Sequence, residues 1–285
     1  MEKKLLLAIA REAIEDNSSE VVKGLLSGGF FERRRFIRFA QLHEMMPLVY
    51  DNLRKYPGLI SKETLLFLKN QHYCILTYTT YLWEEFCRIN NAFGDSGISV
   101  VPIKGVALLK TVYAGFSGRT MVDIDLLIQE EDISAAERIF LNLGYHKELF
   151  GLSQGYWRDK QTHFSFYKAD LSVSSPAIDL HWALDFKRNG QRLLPFLWER
   201  IIVQEIEGRK IRLLSREDLF YSLVLHQRRF GKILCLKYAI DTILLLKNSP
   251  DFDWEYVLNE ARRMRLNMSI FFLLAQAEVI RKDIV

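Results

Sequence analysis

The chain has 285 residues, of which 49% are hydrophobic and 26% are charged, and its formal net charge is +4. This composition excludes a disordered tail and supplies enough apolar residues for an ordinary globular core. The mild positive charge permits an anionic ligand, but it does not by itself predict binding to nucleic acid.

Cysteine usage and hydropathy both favour a cytoplasmic protein. Cys74, Cys87 and Cys235 are odd in number and far apart, which is typical of reduced thiols rather than of disulfides or a metal site. The apolar run at residues 5–10 ends at Arg11, so it predicts an amphipathic helix rather than a signal peptide. Since no segment has the roughly 18 uninterrupted apolar residues of a membrane span, we expect no membrane partner.

The first third of the chain is predicted to be helical. From residue 1 to about residue 91, apolar residues recur at spacings of three and four. The pattern changes at Ser96-Gly97, after which the β-branched residues 98–103 predict a strand and residues 105–113 predict a helix. Turn-forming residues at 114–118 then predict a loop.

Strands and helices alternate through the middle of the chain. Residues 121–128 predict a strand, and residues 132–143 predict a helix that ends at Gly144. Alternation of apolar and polar side chains predicts two more strands, over residues 162–168 and 177–183.

The C-terminal part is predicted to begin with a hairpin and to continue as helices. Glu207-Gly208 forms the turn of this hairpin, between strands at residues 201–206 and 210–214. Ser215 and Asp218 have the spacing of a capping box that opens a helix. Two or three further helices are predicted after it.

This succession of elements predicts an α+β fold with a small mixed β-sheet flanked by helices. We divide the chain into an N-terminal helical region (residues 1–95), a core that contains the sheet (residues 96–214) and a C-terminal helical region (residues 215–285). We find no internal repeat and no segment of low complexity.

Two carboxylates share one face of the predicted strand at residues 121–128. Strand side chains alternate between faces, so Asp123 and Asp125 project together while Ile124 and Leu126 fill the opposite face. Like charges in such a pair repel unless a cation lies between them. Mg²⁺ prefers oxygen ligands and bridges carboxylates to substrate phosphates, so the pattern indicates a magnesium site.

A third carboxylate, Asp179, lies on the predicted strand at residues 177–183 and shares a face with His181. If this strand pairs beside the first, Asp179 joins the same site and helps to deprotonate an attacking hydroxyl. The alternative is that all three are ordinary carboxylates that protect a strand edge from aggregation. For His181, a structural role is the favoured interpretation.

Basic residues near this strand suit a phosphate. Lys104-Gly105 ends a strand and opens a helix, where glycine lets the backbone approach a phosphate and lysine adds a cation. Arg119, just before the acidic strand, supplies a second cation. The alternatives are a tight turn at Gly105 and a solvated Lys104. Lys237 is retained as an outside candidate for contact with a ligand.

The order of these residues resembles the DNA polymerase β-like nucleotidyltransferase superfamily, and within it a bacterial family of uncharacterised nucleotidyltransferases. The resemblance covers nearly the whole chain and rests on Ala40, His43, Pro47-Leu48, Lys104-Gly105, Arg119-Thr120, Asp123 to Ile128, Gly144-Tyr145, His163, Ile178 to Trp182, His226, and Asp241 with Ile243 to Leu246.

The resemblance implies an enzyme that transfers a nucleoside monophosphate from an NTP, such as ATP, to an acceptor, with two Mg²⁺ ions. It implies Asp123, Asp125 and Asp179 as metal ligands and catalytic residues, with Lys104, Gly105 and Arg119 binding the nucleotide. Many relatives have Gly-Ser at the helix start. Here the pair is Gly105-Val106, and we expect Lys104 to compensate for the missing hydroxyl.

Two other functions stay open at this point, a catalytically inactive nucleotide sensor and a helical interaction protein. An enzyme consumes NTP and releases pyrophosphate, a sensor binds NTP without release, and an interaction protein ignores NTP. The acceptor is not encoded in any recognisable pattern, and RNA, protein, a sugar or another small molecule are all compatible with the residues.

Overall fold

The structure is a computed structural model, and it describes residues 1–15, 19–28, 32–113, 115, 118–149, 151–168, 176–186, 196–229 and 234–280. Three residues of the predicted loop at 114–118, namely Ala114, Phe116 and Ser117, lie outside the described residues.

The N-terminal region is helical, as predicted. Its described residues form α1 (Glu2–Glu15), α2 (Ser19–Ser27), α3 (Arg33–Leu42), α4 (Met46–Leu53) and α5 (Lys62–Asp95). The long helix α5 begins where the Ser61 side chain accepts a hydrogen bond from the backbone N–H of Thr64, at 3.2 Å. One face of α1 buries Leu5, Leu6 and Ile9 in the core, which fixes this helix against its neighbours.

The core contains a small mixed sheet, which confirms the predicted α+β class. Its strands are β1 (Val101–Pro102), β2 (Asp123–Leu127), β3 (Tyr145–Glu148), β4 (His163–Lys168) and β5 (Ala177–His181), in the order β1-β2-β5-β4-β3. Strands β2 and β5 are parallel, and the other neighbouring pairs are antiparallel. Helices α6 (Gly105–Thr111), α7 (Ile133–Asn142) and α8 (Gln154–Lys160) connect the strands.

Three elements of the core differ from the sequence prediction. The strand predicted over residues 98–103 forms ladder pairs only at Val101 and Pro102, and the N–H of Ile103 adds one further bond, at 3.0 Å, to the carbonyl of Asp125. Strand β3 and helix α8 were not predicted. The sequence of β3 is mostly polar, so pairing with β4 rather than local propensity determines its conformation.

The C-terminal part follows the predicted order of a hairpin and then helices. It contains β6 (Ile202–Ile206), β7 (Arg209–Leu213), α9 (Arg216–Arg229), α10 (Leu236–Lys247), α11 (Trp254–Met264) and α12 (Asn267–Ile280). At the hairpin turn Glu207 and Gly208 have φ values of 51° and 74°, as a two-residue turn with left-handed residues requires. The backbone N–H of Asp218 donates to Ser215 Oγ at 3.2 Å, which confirms the predicted cap.

The two helical regions meet through α1, which packs against α10 and α12. Arg11 Nε donates to the carbonyl of Ile280 at 2.6 Å, and Lys247 Nζ donates to the carbonyl of Ile14 at 2.7 Å. Within the described ranges, no helix has both the length and the apolar character that crossing a membrane requires.

Candidate active site

The frame of the site is the parallel pair of strands β2 and β5. In its register Asp123 pairs with Ala177, and Asp125 pairs with Asp179. Paired residues of adjacent strands point to the same face of a sheet, so Asp125 and Asp179 lie side by side. Ile124, on the opposite face, is fully buried in the core. The apolar back of β2 therefore fixes the direction in which its carboxylates point.

Asp125 is the deepest carboxylate of the site, with a side chain 5% exposed. Its Oδ1 accepts hydrogen bonds from Lys104 Nζ and, at 2.8 Å, from His181 Nε2. Burial alone would raise the pKa of Asp125, but the Lys104 charge and the His181 hydrogen bond outweigh it and hold the pKa well below its usual range. Asp125 is therefore a permanent anion.

His181 supports Asp125 as a neutral ring. Its side chain is 2% exposed, and burial together with the Lys104 charge lowers the pKa of His181 to about 3. A neutral imidazole carries one N–H, and the Nε2–H tautomer is the one that can donate to Asp125. The other ring nitrogen, Nδ1, is buried without a hydrogen-bond partner in the described part of the chain.

Asp179 is more accessible, with a side chain 23% exposed. Its Oδ1 accepts a hydrogen bond from Ser165 Oγ at 2.7 Å, and His163 Nε2 lies 4.0 Å from its Oδ2. Ser165 is the residue opposite Asp179 on β4. This cross-strand partner orients the carboxylate and leaves part of it open to a ligand.

Asp123 is the first residue of β2, two residues before Asp125 on the same face, and is partly exposed. Burial, followed by the negative charges of Asp125 and Asp179, raises the pKa of Asp123 to about 6. The three carboxylates are thus close enough to repel one another, and the charge of Lys104 offsets only part of this repulsion. Additional positive charge at the site would relieve it.

The donor atoms fit a divalent cation. One oxygen of Asp125, one oxygen of Asp179 and one nitrogen of His181 all lie within 4.8 Å of one another. The two carboxylates supply the oxygen ligands that Mg²⁺ prefers. The structure brings Asp125 and Asp179 together, with Asp123 beside them but outside this donor set. Their assignment as metal ligands stays a prediction.

Lys104 joins β1 to α6 with an unusual backbone. Its φ is 53° and its ψ is −117°, a conformation that residues with a Cβ seldom adopt. Such strain costs about 1–3 kcal/mol and collects at functional sites, where the surrounding structure holds it in place. Here it accompanies an ammonium group that is bonded to the most deeply buried carboxylate of the site.

Arg119 lies beneath the site rather than on its surface. Its side chain is 5% exposed, and its Nε and Nη2 donate to the two oxygens of Asp241 at 2.9 and 3.0 Å. Tyr113 donates to the same carboxylate at 2.8 Å. The guanidinium is therefore already paired, which favours a role in positioning, and direct contact with phosphate stays a prediction.

Gly105 is explained by packing. A Cβ at this position would lie 3.2 Å from Arg119 Nη1 and 3.3 Å from Met121 Cβ, so glycine allows α6 to approach the segment that leads into β2. Gly105 is buried, and the proposed contact of its backbone with phosphate stays a prediction.

Lys237, which the sequence analysis kept as a candidate for contact with a ligand, takes part in a polar contact that joins three regions of the chain. Its ammonium is bonded to Glu44 Oε2, and Thr120 Oγ1 lies 3.2 Å from the same oxygen. Glu44 follows α3, Thr120 precedes β2 and Lys237 lies in α10. This contact fixes the segment before the acidic strand against both helical regions.

Sequence reasoning did not find Ser165, the hydrogen bond from His181 to Asp125, or the Arg119–Asp241 pair. The first two depend on which strands are neighbours, and the third joins residues 122 positions apart. The strand alternation did place His181 on the same face as Asp179, and this was the only available signal.

Acidic residues therefore lie side by side on the parallel strands β2 and β5, and Lys104, at the start of the helix that precedes β2, contacts one of them. The profile of a protein family described as uncharacterised nucleotidyltransferases matches residues 31–281. Since this match covers most of the chain, the protein belongs to that family. The predicted family is thereby confirmed, and the protein is a nucleotidyltransferase by class.

Comparison with solved structures gives distant similarities only. The chain is 15% identical to the lincosamide antibiotic adenylyltransferase LnuA in a lincomycin-bound crystal structure, with a TM-score of 0.40, and the alignment covers 58% of this chain and 96% of that one. It is 14% identical to ANT(2")-Ia in complex with adenylyl-2"-tobramycin, with a TM-score of 0.38 and coverage of 73% and 99%.

A third similar structure is an antigenic nucleotidyltransferase-like protein from Paracoccidioides brasiliensis. It is 16% identical, with a TM-score of 0.38 and coverage of 69% of this chain and 92% of that one. No curated protein matches the chain.

Proposed function

We propose that this protein transfers a nucleoside monophosphate from a magnesium-bound NTP to a hydroxyl group and releases pyrophosphate. The observation that supports this reaction most strongly is the pairing of Asp125 with Asp179 on parallel strands, with Asp123 beside them. Family membership supports the same class of chemistry.

Asp123, Asp125 and Asp179 would hold Mg²⁺, and the metal would supply charge neutralisation and orientation for the phosphates. Asp179 is better placed than Asp125 to accept a proton, because it is 23% exposed whereas Asp125 is 5% exposed and bonded to two donors. Ser165 keeps its carboxylate oriented. We assign Asp179 as the general base.

In the proposed step, the proton of the acceptor hydroxyl moves to Asp179 while the hydroxyl oxygen forms a bond to the α-phosphorus. The bond between this phosphorus and the oxygen that bridges to the β-phosphate breaks. That oxygen leaves with the bonding electrons as part of pyrophosphate. Acceptor and NMP are joined, and no oxidant or reductant is required.

Lys104 and Arg119 provide positive charge for the outer phosphates. Lys104 is 15% exposed at the edge of the carboxylate cluster, so its ammonium can reach a bound triphosphate. Arg119 is paired with Asp241 and adds its charge from beneath Gly105. The free cysteines fit a reducing compartment, and we place the reaction in the cytoplasm.

The test is transfer of label from each of the four α-³²P-NTPs into a lysate of the source cell, followed by identification of the labelled molecule. The wild-type chain is expected to label one acceptor in a magnesium-dependent manner, and the Asp179→Ala variant is expected not to. The labelled product decides between RNA, protein and a small molecule.

Two other results would each support a different function. Binding of NTP without pyrophosphate release in the presence of lysate would indicate a sensor. No response to NTP and Mg²⁺ would indicate a helical interaction protein, and the proposed reaction would then be wrong.

A further inference from the structure

We propose that Lys104 is a built-in counter-ion of Asp125 that moves away when a metal-bound nucleotide enters. The site would then bind metal and triphosphate together and would hold a lone metal ion poorly. This inference rests on the proposed function, because it assumes that Asp125 belongs to the metal site.

One carboxylate oxygen of Asp125 already accepts two hydrogen bonds. Both hydrogen bonds to Asp125, from Lys104 Nζ and from His181 Nε2, end on Oδ1. The ion pair is well shielded, with side chains 15% and 5% exposed, so salt screens it much less than a surface pair. A divalent cation that approached Asp125 would meet an ammonium group in direct contact with that carboxylate, and the two cations repel each other.

Of the two donors on Asp125, Lys104 is the one that can leave. A lysine carries its charge on a flexible stem of four carbons, and this side chain is partly exposed. The His181 ring is 2% exposed, and its centroid is 4.8 Å from that of the His163 ring. The carbonyl of His181 also accepts from the N–H of Ile128, which holds this end of β5 in place.

Once it has left Asp125, the Lys104 ammonium is stabilised only if another anion pairs with it. A bare metal ion brings none, so its binding leaves Lys104 without the partner that stabilises it. A metal-bound triphosphate brings negatively charged oxygens along with the cation, and Lys104 exchanges a carboxylate for a phosphate. Each component of the nucleotide complex therefore improves the binding of the other, which is a coupling in the thermodynamic sense.

The test is a titration of wild type and of Lys104→Met with Mn²⁺ alone. Electron paramagnetic resonance measures the concentration of free Mn²⁺ at each point. Methionine keeps an unbranched side chain of nearly the same length and removes the charge. We expect the variant to bind Mn²⁺ about 5- to 150-fold more tightly, the usual range of coupling between two ligands. In the same variant, affinity for Mn²⁺·NTP should gain far less or fall, because a phosphate contact is lost.

The matched control is Lys147→Met. Lys147 is 16% exposed and bonded to Glu137 at 2.6 Å, so it forms a similar ion pair on β3, outside the site. Its loss should leave Mn²⁺ affinity unchanged. The double variant Lys104→Met, Asp125→Asn should lose the whole gain, since the freed carboxylate is what binds the ion.

Equal or weaker Mn²⁺ binding by Lys104→Met, in a variant whose circular dichroism matches wild type, would overturn the inference. If that variant does not fold, Lys104→Gln takes its place, with the same expected direction. Failure of the proposed metal site gives a different result, because wild type would then bind neither Mn²⁺ nor Mn²⁺·NTP. A wild type that binds Mn²⁺·NTP, with no gain in Lys104→Met, contradicts the exchange alone.

Discussion

Two buried carboxylates, Asp125 in the sheet and Asp241 in α10, are each paired with a cation but are bonded in different ways. Asp241 is fully buried. The guanidinium of Arg119 donates to both of its oxygens, and the Tyr113 hydroxyl donates to one of them. Asp125 receives Lys104 and His181 on a single oxygen.

This difference separates a structural pair from a functional one. The planar guanidinium of Arg119 matches a carboxylate with two parallel bonds, which favours a fixed contact. The ammonium of Lys104 is a point charge on a flexible chain and can move to another anion. The Arg119–Asp241 pair fixes the approach to β2, and we propose that the Lys104–Asp125 pair exchanges when the nucleotide binds.

The largest expected effect is on catalysis at Asp179. Asp179→Ala should lower the rate of nucleotidyl transfer by about 10²–10⁴, the usual loss for a positioned general base. NTP binding should persist, because Asp123 and Asp125 remain. Pyrophosphate release and calorimetric NTP binding measure the two effects separately. Ser165→Ala is the matched control, since it removes only the group that orients Asp179 and should cost less. Unchanged transfer in Asp179→Ala would remove this residue from the mechanism.

The next effect concerns stability and distinguishes the two pairs directly. Asp241→Asn should lower the free energy of unfolding by about 3–5 kcal/mol, because it leaves the buried Arg119 charge without its partner. Asp125→Asn should cost less than half as much, since Lys104 is on a flexible stem and can reach water. Urea denaturation of both variants without metal provides the comparison. A larger loss in Asp125→Asn would show that the Lys104 pair is the structural one.

The pH dependence of stability tests the raised pKa of Asp123, which burial and then the neighbouring carboxylates cause. The pKa of Asp123 is about 6 in the folded chain and 3.8 for an ordinary aspartate, so the fold binds this proton more tightly than the unfolded chain does. The ionisation of Asp123 therefore lowers the free energy of unfolding as the pH rises from about 4 through about 6. Asp123→Asn should be more stable than wild type above pH 6, by at most about 3 kcal/mol, and the difference should shrink below pH 4.

Urea denaturation in EDTA at pH 4 and at pH 7.5 measures this difference. Glu205→Gln, a change at an exposed carboxylate of the separate hairpin, is the control and should show little dependence. A stability difference between Asp123→Asn and wild type that is the same at both pH values would contradict the raised pKa of Asp123.

The smallest effect concerns the backbone of Lys104. Both Lys104→Gly and Lys104→Met lose the ammonium group, but only glycine relieves the positive φ. The glycine variant should therefore be about 1 kcal/mol more stable than the methionine variant, after the greater freedom of unfolded glycine is counted. Thermal or urea unfolding measures the difference. If the methionine variant is the more stable of the two, the backbone at Lys104 is not strained.

The local parts of the fold could be predicted from the sequence. The helical N-terminal third, strand β4 and the hairpin at Glu207-Gly208 follow from periodicity and turn chemistry. Strand β3 could not be predicted, because its polar residues form a strand only through pairing with β4. The strand expected at residues 98–103 was too long, since apolar β-branched residues do not show where a ladder stops.

The site was predictable as a set of residues but not as a set of contacts. Alternation along two strands placed Asp125, Asp179 and His181 on polar faces, and the parallel register then brings them together. The partners of Arg119 and Lys104 follow from the tertiary fold. No local pattern indicates that one cation faces a structural carboxylate and the other faces the proposed metal site.

The most direct test of the central claim is magnesium-dependent NTP binding by the wild-type chain and by Asp125→Asn. Calorimetric titration with each NTP, in Mg²⁺ and again in EDTA, reports binding without knowledge of the acceptor. We predict that wild type binds at least one NTP in Mg²⁺ and loses this affinity in EDTA, and that a folded Asp125→Asn binds none in either condition. Equal binding by the two chains, or binding that does not depend on the metal, would contradict the assignment of this site.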